Sequence, residues 1–199
     1  FEKSIACKRL AVIGTEAAIP VLADLLEDEN LSHFARYGLE PIPSPEVDMV
    51  FLASLITLKG KTLVGVINSI ANRGKVAALG PLSALMTVDD KKVAAAAAHA
   101  IARLGTPRAA EILDKSMSDQ FAAACLVCGK TLAAQGKAVE AAKLLTKLTK
   151  FAEAAEHVRL AAMLQVVELQ GADGRKILAS ALESDDRDMF NMALRAVRL

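Results

Sequence analysis

The sequence predicts an all-α protein, a solenoid of about six helical hairpins followed by one unpaired C-terminal helix. A short phrase recurs along the chain, an apolar pair followed four or five residues later by another apolar residue. The residues directly before the phrase are Pro20, Val50, Pro81, Glu111, Lys143 and Lys176, so its copies lie 30, 31, 30, 32 and 33 residues apart. Helix formers dominate, aromatic residues make up only 4% of the chain, and glycines recur where first helices should end.

This phasing places the helices in order. Each hairpin has a first helix that ends at a turn and a second helix that carries the phrase. Glycine just beyond a helix end adopts the left-handed conformation at little cost, and the expected turns are Gly14, Gly74, Gly105, Gly136 and Gly171. The predicted helices span residues 2–13, 16–27, 30–40, 45–58, 61–73, 76–87, 90–104, 107–117, 119–135, 138–150, 152–170, 173–183 and 186–199.

Alternating prolines replace the glycine turn in the second hairpin. Pro41 and Pro43 stop one helix and impose an extended link, because proline lacks an N–H and fixes its own φ. Ser44 and Pro45 then provide a good N-cap and first residue for the next helix. Thr106 and the proline after it repeat this capping pattern.

The two ends of the sequence predict that the chain is part of something longer. It opens at Phe1 without a signal segment and ends at Leu199 inside a predicted helix. That last helix carries an apolar stripe, which includes Met189 and Met192 and requires a partner. We therefore expect residues 1–199 to form a single repeat domain that is a segment of a longer protein.

Composition limits the function classes. The formal net charge is +1, from 24 basic and 23 acidic residues, so no global electrostatic attraction toward nucleic acid or membrane is expected. The longest run without a charged side chain, residues 76–88, is well short of the roughly 20 residues that span a bilayer. Three cysteines are too few for a disulfide framework and leave the compartment open.

The hairpins resemble HEAT repeats, in the short bacterial variety also seen in phycobilin lyase-like proteins. The resemblance lies in an Ala-x-x-x-Leu-Gly first helix and an Ile-Pro-Val-Leu-x-x-Leu-Leu second helix. It is carried by residues 10–14 with 17–26, and by residues 94–105 with 106–117. It implies a right-handed α-solenoid with first helices on the convex side and second helices on the concave side.

A column of variable residues on the second helices is the candidate binding surface. The residue before each phrase and those four and seven positions later share one helix face. This column changes from acidic, with Asp24 and Glu27, to basic. Residues 1–60 hold 5 basic and 9 acidic side chains, whereas residues 61–135 hold 9 and 5. The candidate residues for an acidic partner are Lys115, Lys143, Lys147, Lys150 and Lys176. The alternative, which we favour from sequence alone, is that these lysines only keep an Ala-rich surface soluble.

Three other features have plainer interpretations. The helix at 45–58 is apolar nearly all round, which favours burial between repeats over a partner groove at Met49 and Val50. The polar set His33, Arg36, Tyr37 and Glu40 favours an ordinary solvent face over a recognition patch. Cys125 and Cys128 form a Cys-x-x-Cys inside a helix, where small core residues are favoured over a redox or metal site.

The sequence therefore predicts a non-enzymatic scaffold for protein–protein interaction, with a protein partner or an adjoining domain as its ligand. No catalytic, cofactor-binding or metal-ligating residue is identified. The alternatives are an enzyme-associated protein of the bilin lyase-like kind and, less favoured, a DNA-binding protein of the glycosylase-like kind. A nucleobase pocket needs aromatic walls and a basic groove, whereas this chain has no Trp and one Tyr, so nucleic acid is not expected as a partner.

Overall fold

The computed structural model describes residues 2–197, and all regular structure in that range is helical. The α-helices are α1 (Glu2–Ile13), α2 (Ile19–Asp24), α3 (Ser32–Leu39), α4 (Pro45–Thr57), α5 (Gly60–Asn72), α6 (Leu79–Leu85), α7 (Lys91–Leu104), α8 (Pro107–Lys115), α9 (Asp119–Ala134), α10 (Ala138–Thr149), α11 (Glu156–Gln170), α12 (Ala172–Leu182) and α13 (Arg187–Val197). Short 3₁₀ turns at Glu16–Ala18 and Val76–Ala78 lead into α2 and α6. The predicted all-α class is confirmed.

The chain divides into two compact units, residues 1–100 and residues 101–199, and the boundary lies inside α7. In the first unit, α3 packs against α1, α2 and α5, while α4 packs against α5 and α2. In the second unit, α10 packs against α8, α9 and α11, and α11 also contacts α9, α12 and α13. A helix thus packs on its sequence neighbour and on the helix two places along, which is compatible with a helical solenoid.

The predicted helix boundaries agree with the structure to within a few residues at most positions. The start of α3 differs because residues 28–31 form a turn before it. The Asp28 carboxylate accepts hydrogen bonds from the backbone N–H groups of Asn30 (2.8 Å) and Leu31 (3.1 Å). This local capping competes with the helix and delays its start to Ser32. Residues 198 and 199 of the last predicted helix lie outside the described range.

One of the five proposed turn assignments is wrong, and one turn glycine was missed. Gly74, Gly105, Gly136 and Gly171 have the positive φ expected beyond a helix end. Gly14 does not, and its N–H instead donates to the Leu10 carbonyl at 2.7 Å. Gly60, which begins α5, has a φ of +52° and was not among the predicted turns. Its positive φ lets the chain reverse between α4 and α5 without a side-chain clash.

Members of the recurring phrase lie in the core, although Val21 is 63% exposed, and the register in the second hairpin is one residue earlier than predicted. In the third hairpin the position that matches Pro20 is Gly80, not the predicted Pro81. Leu22 and Leu26 of the first hairpin are buried, and the matching pair in the second is Phe51 and Leu55. Ile56, which the phrase assigned to the core, is 86% exposed. Residues four apart lie on the same helix face, whereas residues five apart do not. The buried i, i+4 pair therefore sets the register.

The polar set on α3 is not an ordinary solvent face. Arg36 donates to the Gly65 carbonyl (3.1 Å) and to Ser69 Oγ (3.3 Å) on α5. Ser69 in turn donates to Glu40 Oε1 at 2.6 Å, and Asn72 Nδ2 donates to Glu40 Oε2 at 3.0 Å. These bonds join the helices because a buried polar group must find a partner when it loses water. His33 and Tyr37 remain exposed, so only half of the set fits the prediction.

Candidate partner-binding surfaces

The corrected register defines the same three exposed positions on each second helix, which are together called the column. Its members lie two residues before, two after and five after the central apolar residue of each phrase, so they share the face opposite the core. Along the chain the column reads Pro20, Asp24, Glu27; Met49, Ala53, Ile56; Gly80, Ala84, Thr87; Glu111, Lys115, Ser118; Lys143, Lys147, Lys150; and Lys176, Ser180, Glu183. Every member is exposed except Ser118, which is half-buried.

The five candidate lysines lie in the second unit and are all exposed. Two of them already have an acidic neighbour. Lys147 Nζ lies 2.7 Å from Asp114 Oδ1, and Lys176 Nζ lies 2.8 Å from Asp173 Oδ1 one helical turn earlier. Within residues 2–197, Lys115, Lys143 and Lys150 form no ion pair. These three charges are therefore available to an acidic partner.

The structure brings Lys150 and Lys176 to the same cleft. This cleft, of about 390 Å³, lies between α10 and α12 with α11 contributing to its lining. Its apolar lining includes Met163 and Val166 of α11 together with Met189. The remaining lining residues are Thr146, Thr149, Ile177, Ser180, Ala181 and Ser184, which add four hydroxyl groups. An apolar lining with a few polar groups is typical of a site that holds an apolar side chain in one orientation.

The other candidate lysines are arranged differently. Lys143 lines a smaller cleft of about 120 Å³ between α8 and α10, together with Glu111, Asp114 and Glu140. Lys115 lines neither cleft. The predicted set therefore separates, because Lys143 lines a cleft with three carboxylates, two of them already paired with Arg108 and Lys147, whereas Lys150 and Lys176 share an apolar cleft. Sequence reasoning found the lysines but missed the cleft, whose lining comes from four helices, α10, α11, α12 and, through Met189, α13.

The first unit presents a different face at the same column. Met49, Ala53 and Ile56 of α4 form an exposed apolar stripe, with Met49 at 62% and Ile56 at 86% exposure. The predicted burial of α4 between repeats is wrong on this side, although Val47 and Phe51 on the opposite side are fully buried. The neighbouring helices leave this face of α4 uncovered. Val50, the other residue of the alternative groove, is half-buried.

The Cys-x-x-Cys pair lies in the core of the second unit, as predicted. Cys125 and Cys128 of α9 are buried, and Cys125 Sγ lies 3.8 Å from the Leu113 carbonyl oxygen. Burial raises the pKa of both thiols to about 12, and the adjacent Cys128 adds to the shift of Cys125. A thiol held neutral is a poor nucleophile and metal ligand. No group of three or more His, Cys, Asp or Glu side chains placed to hold a metal occurs in the described part of the chain.

None of the helices between residues 2 and 197 has the length and apolar character needed to cross a bilayer. The three histidines, His33, His99 and His157, are exposed and lie on three different helices. Exposed, separated imidazoles have no shared substrate position, so they do not assemble a site among the described residues.

Comparison with known proteins gives a structural neighbour only. No protein-family profile and no curated protein matches the chain. Among solved structures, the crystal structure of an engineered protein is similar over 92% of this chain, with 19% sequence identity and a TM-score of 0.43. The match spans 57% of that engineered chain. The resemblance to HEAT repeats stays a prediction.

Proposed function

We propose that this chain is a non-enzymatic scaffold for protein–protein interaction, a right-handed solenoid of HEAT-like hairpins whose second helices face the partner. The observation that carries the proposal is the exposed column. The inward positions of successive second helices stay apolar, whereas the column changes from acidic to apolar to basic. Packing between repeats requires the inward positions to be apolar, but it does not constrain the residue types of the exposed column. The proposal assigns no catalytic role, metal or cofactor to any residue.

In the second unit, the partner proposed is an acidic protein segment that carries a bulky apolar side chain. Lys150 and Lys176 line the cleft between α10 and α12. The Lys150 ammonium has no ion-pair partner among the described residues and favours carboxylates, whereas that of Lys176 must exchange its exposed pair with Asp173 for one with the partner. Ile177 and Met189, which are half-buried, offer apolar contact to one inserted side chain, and desolvation of that side chain supplies most of the affinity. The exposed charges mainly set the sign of the partner and the association rate.

The test is fluorescence anisotropy with labelled synthetic peptides about 15 residues long, enough to cross a groove between two helices. The first peptide combines Glu with Leu and Phe, the second replaces Glu by Lys, and the third replaces Leu and Phe by Ser. The acidic apolar peptide should bind, and its affinity should fall as salt rises because the charges are exposed. The Ser peptide should bind more weakly because it lacks the apolar side chains, and the Lys peptide should show no binding that depends on Lys150 or Lys176.

The variant Lys150→Glu/Lys176→Glu should weaken that binding about tenfold at low salt, since each exposed charge pair contributes about 0.2 to 1 kcal/mol and reversal also adds repulsion. The matched control is Lys61→Glu/Lys130→Glu, which makes the same charge change at two exposed lysines outside the column. Equal loss in both variants would mean that only net charge matters. Loss of basic-peptide binding in Lys150→Glu/Lys176→Glu, or equal affinity for a short DNA of similar charge, would contradict the proposed partner class.

A further inference from the structure

We infer that the first unit carries a second docking surface, which binds a basic amphipathic helix of a partner protein. The surface, named here the α4 face, consists of Met49, Ala53 and Ile56 with the adjoining acidic residues Asp24 and Glu27 of α2 and the turn after it. The inference rests on the proposed interaction function. It concerns residues of the first unit, whereas the proposed cleft lies in the second unit. Its partner is basic, whereas the partner proposed for the cleft is acidic.

The apolar half of the α4 face is uncovered by its own fold. Met49 and Ile56 are seven residues apart, two helical turns, and Ala53 lies between them on the same side. Both large side chains are more exposed than buried. In the preceding hairpin the corresponding positions hold Pro20, Asp24 and Glu27. In the following hairpin they hold Gly80, Ala84 and Thr87. Among the second helices of the first unit, α4 is therefore the one with large apolar side chains in the column.

This stripe does not contribute to the core of the first unit. The opposite face of α4, with Val47 and Phe51, already closes the contact to the neighbouring helices. A surface helix usually has a polar outer side, because exposed apolar area is unfavourable in water. Contiguous exposed apolar residues with a polar rim are typical of a site for another macromolecule.

The charge around the stripe determines the chemistry of the partner. Helix α2 packs beside α4, and the column residues Asp24 and Glu27 are exposed. Glu46, in the first turn of α4, is exposed as well. These three carboxylates form no ion pair within the described residues, in contrast to Asp48, which is paired with Arg73 and Lys75. Residues 1–60 hold 9 acidic and 5 basic side chains, so the surrounding potential is negative. A cationic partner is therefore favoured and an acidic one is repelled.

The spacing of the stripe determines the form of the partner. An amphipathic helix presents apolar residues at i, i+3 or i+4, and i+7, which matches an apolar stripe two turns long. Lysine or arginine residues beside those positions would face Asp24, Glu27 and Glu46. The occupant we infer is thus a helical segment with a narrow apolar stripe and basic flanks.

The probe is a labelled synthetic peptide about 18 residues long, five helical turns, with Leu at the helical stripe positions and Lys elsewhere. A scrambled peptide of the same composition and a Glu version are the comparison ligands. Anisotropy should show binding of the basic helix and about tenfold weaker binding of the scrambled peptide. Binding of the Glu version should be unchanged by Met49→Gln/Ile56→Gln, because the carboxylates around the α4 face repel it. Equal binding of the scrambled peptide would overturn the inference, because charge alone would then account for the affinity.

Two variants test the two halves of the α4 face. Met49→Gln/Ile56→Gln should weaken binding of the basic helix about tenfold, because apolar contact supplies most of the affinity. Asp24→Asn/Glu27→Gln should weaken it severalfold and reduce its salt dependence. The matched control Val12→Gln/Val139→Gln removes two other exposed apolar side chains and should leave binding unchanged. The inference is overturned if the control loses as much affinity as the α4 variant, or if the α4 variant retains full affinity.

Binding at the α4 face must also be distinguished from binding at the cleft of the second unit, from unfolding of a variant and from self-association. Lys150→Gln/Lys176→Gln should leave binding of the basic helix unaltered, so failure of the proposed acidic-partner site does not affect this result. Circular dichroism and the melting temperature should show that each variant is folded, as expected for changes at exposed positions. Sedimentation of the unmodified chain tests self-association. If the chain dimerises and Met49→Gln/Ile56→Gln is monomeric, the occupant is a second copy and the inferred partner is wrong.

Discussion

Arg73 at the end of α5 forms an ion pair with Asp48 in the first turn of α4, with Nε 2.5 Å from Oδ1. The same guanidinium donates to three backbone carbonyls of the proline-rich link, those of Glu40 (2.6 Å), Ile42 (2.9 Å) and Ser44 (3.1 Å). Each of these carbonyls belongs to a residue that precedes a proline. The alternating prolines hold the link extended, and one planar side chain with several donors can then satisfy the carbonyls together.

Replacing Arg73 with Ala should destabilise the protein by about 3 kcal/mol, because it leaves three link carbonyls without their donor and Asp48 with Lys75 alone. Arg73→Lys should recover only part of this loss, since an ammonium cannot reach four acceptors in a plane. Urea unfolding followed by circular dichroism measures the change, and Arg9→Ala on the exposed side of α1 is the control. If Arg73→Ala and Arg9→Ala unfold at the same urea concentration, the guanidinium does not stabilise the link.

The Arg73 and Asp48 pair also predicts a pH dependence. Burial alone raises the pKa of the Asp48 carboxyl, but the hydrogen bonds and charges of Arg73 and Lys75 outweigh burial and lower that pKa below its usual range. The folded-state pKa is thus below the unfolded value of about 3.9. The stabilisation is complete above the unfolded pKa and is lost as the pH falls through the folded pKa.

The difference in unfolding free energy between the unmodified protein and Asp48→Asn isolates this effect from those of other carboxylates. It should be largest near neutral pH and should shrink as the pH falls below about 4. Urea titrations at several pH values measure it. A difference that stays constant from neutral to acidic pH would show that Asp48 has an ordinary pKa in the folded protein.

Sequence periodicity predicted the helices well because burial of one helix face leaves a direct trace in residue order. Leu22 and Leu26 are four apart and both are buried. The same reasoning placed Ile56 in the core, because α4 is apolar all round and several registers fit equally well. A pattern of apolar residues cannot identify the exposed side when every side is apolar, and the stripe at Met49 and Ile56 became visible only from packing.

Polar contacts between helices left no such trace. Arg73 contacts the Glu40 and Ser44 carbonyls, and Arg36 contacts Gly65, across about one repeat length. Nothing in the local sequence distinguishes these arginines from solvent-exposed ones. The lysine column was visible because it follows helical spacing. The grouping of Lys150 with Lys176 depends on Met163 and Val166 of a third helix.

The buried cysteines should resist modification in the folded protein. Burial raises the pKa of Cys125 and Cys128 to about 12, so near pH 8 only about one thiol in ten thousand is a thiolate. Ellman's reagent should react with these thiols slowly in buffer and completely in denaturant, with mass spectrometry to assign the sites. An engineered exposed thiol, Lys130→Cys, should react at the rate of a free cysteine. Rapid reaction of Cys125 without denaturant would contradict its place in the core.

Gly129 in α9 packs directly against Leu145 of α10, and a Cβ at Gly129 would lie 2.5 Å from Leu145 Cγ. Exchanging a mid-helix glycine for alanine normally stabilises a helix by about 1 kcal/mol. Here the fully buried Leu145 side chain has no free space to move into, so Gly129→Ala should destabilise by about 1 to 3 kcal/mol through overpacking.

Leu145→Ala on its own should also destabilise, because it leaves a cavity, whereas Gly129→Ala should be tolerated once Leu145 is shortened. In the double variant the two losses should therefore be less than additive, a coupling that urea unfolding of the four proteins measures as a double-mutant cycle. A neutral or stabilising Gly129→Ala, or strictly additive losses, would show that α9 and α10 can separate at this point without cost. Close approach of these helices depends on the missing side chain, because only glycine admits the full width of Leu145 between them.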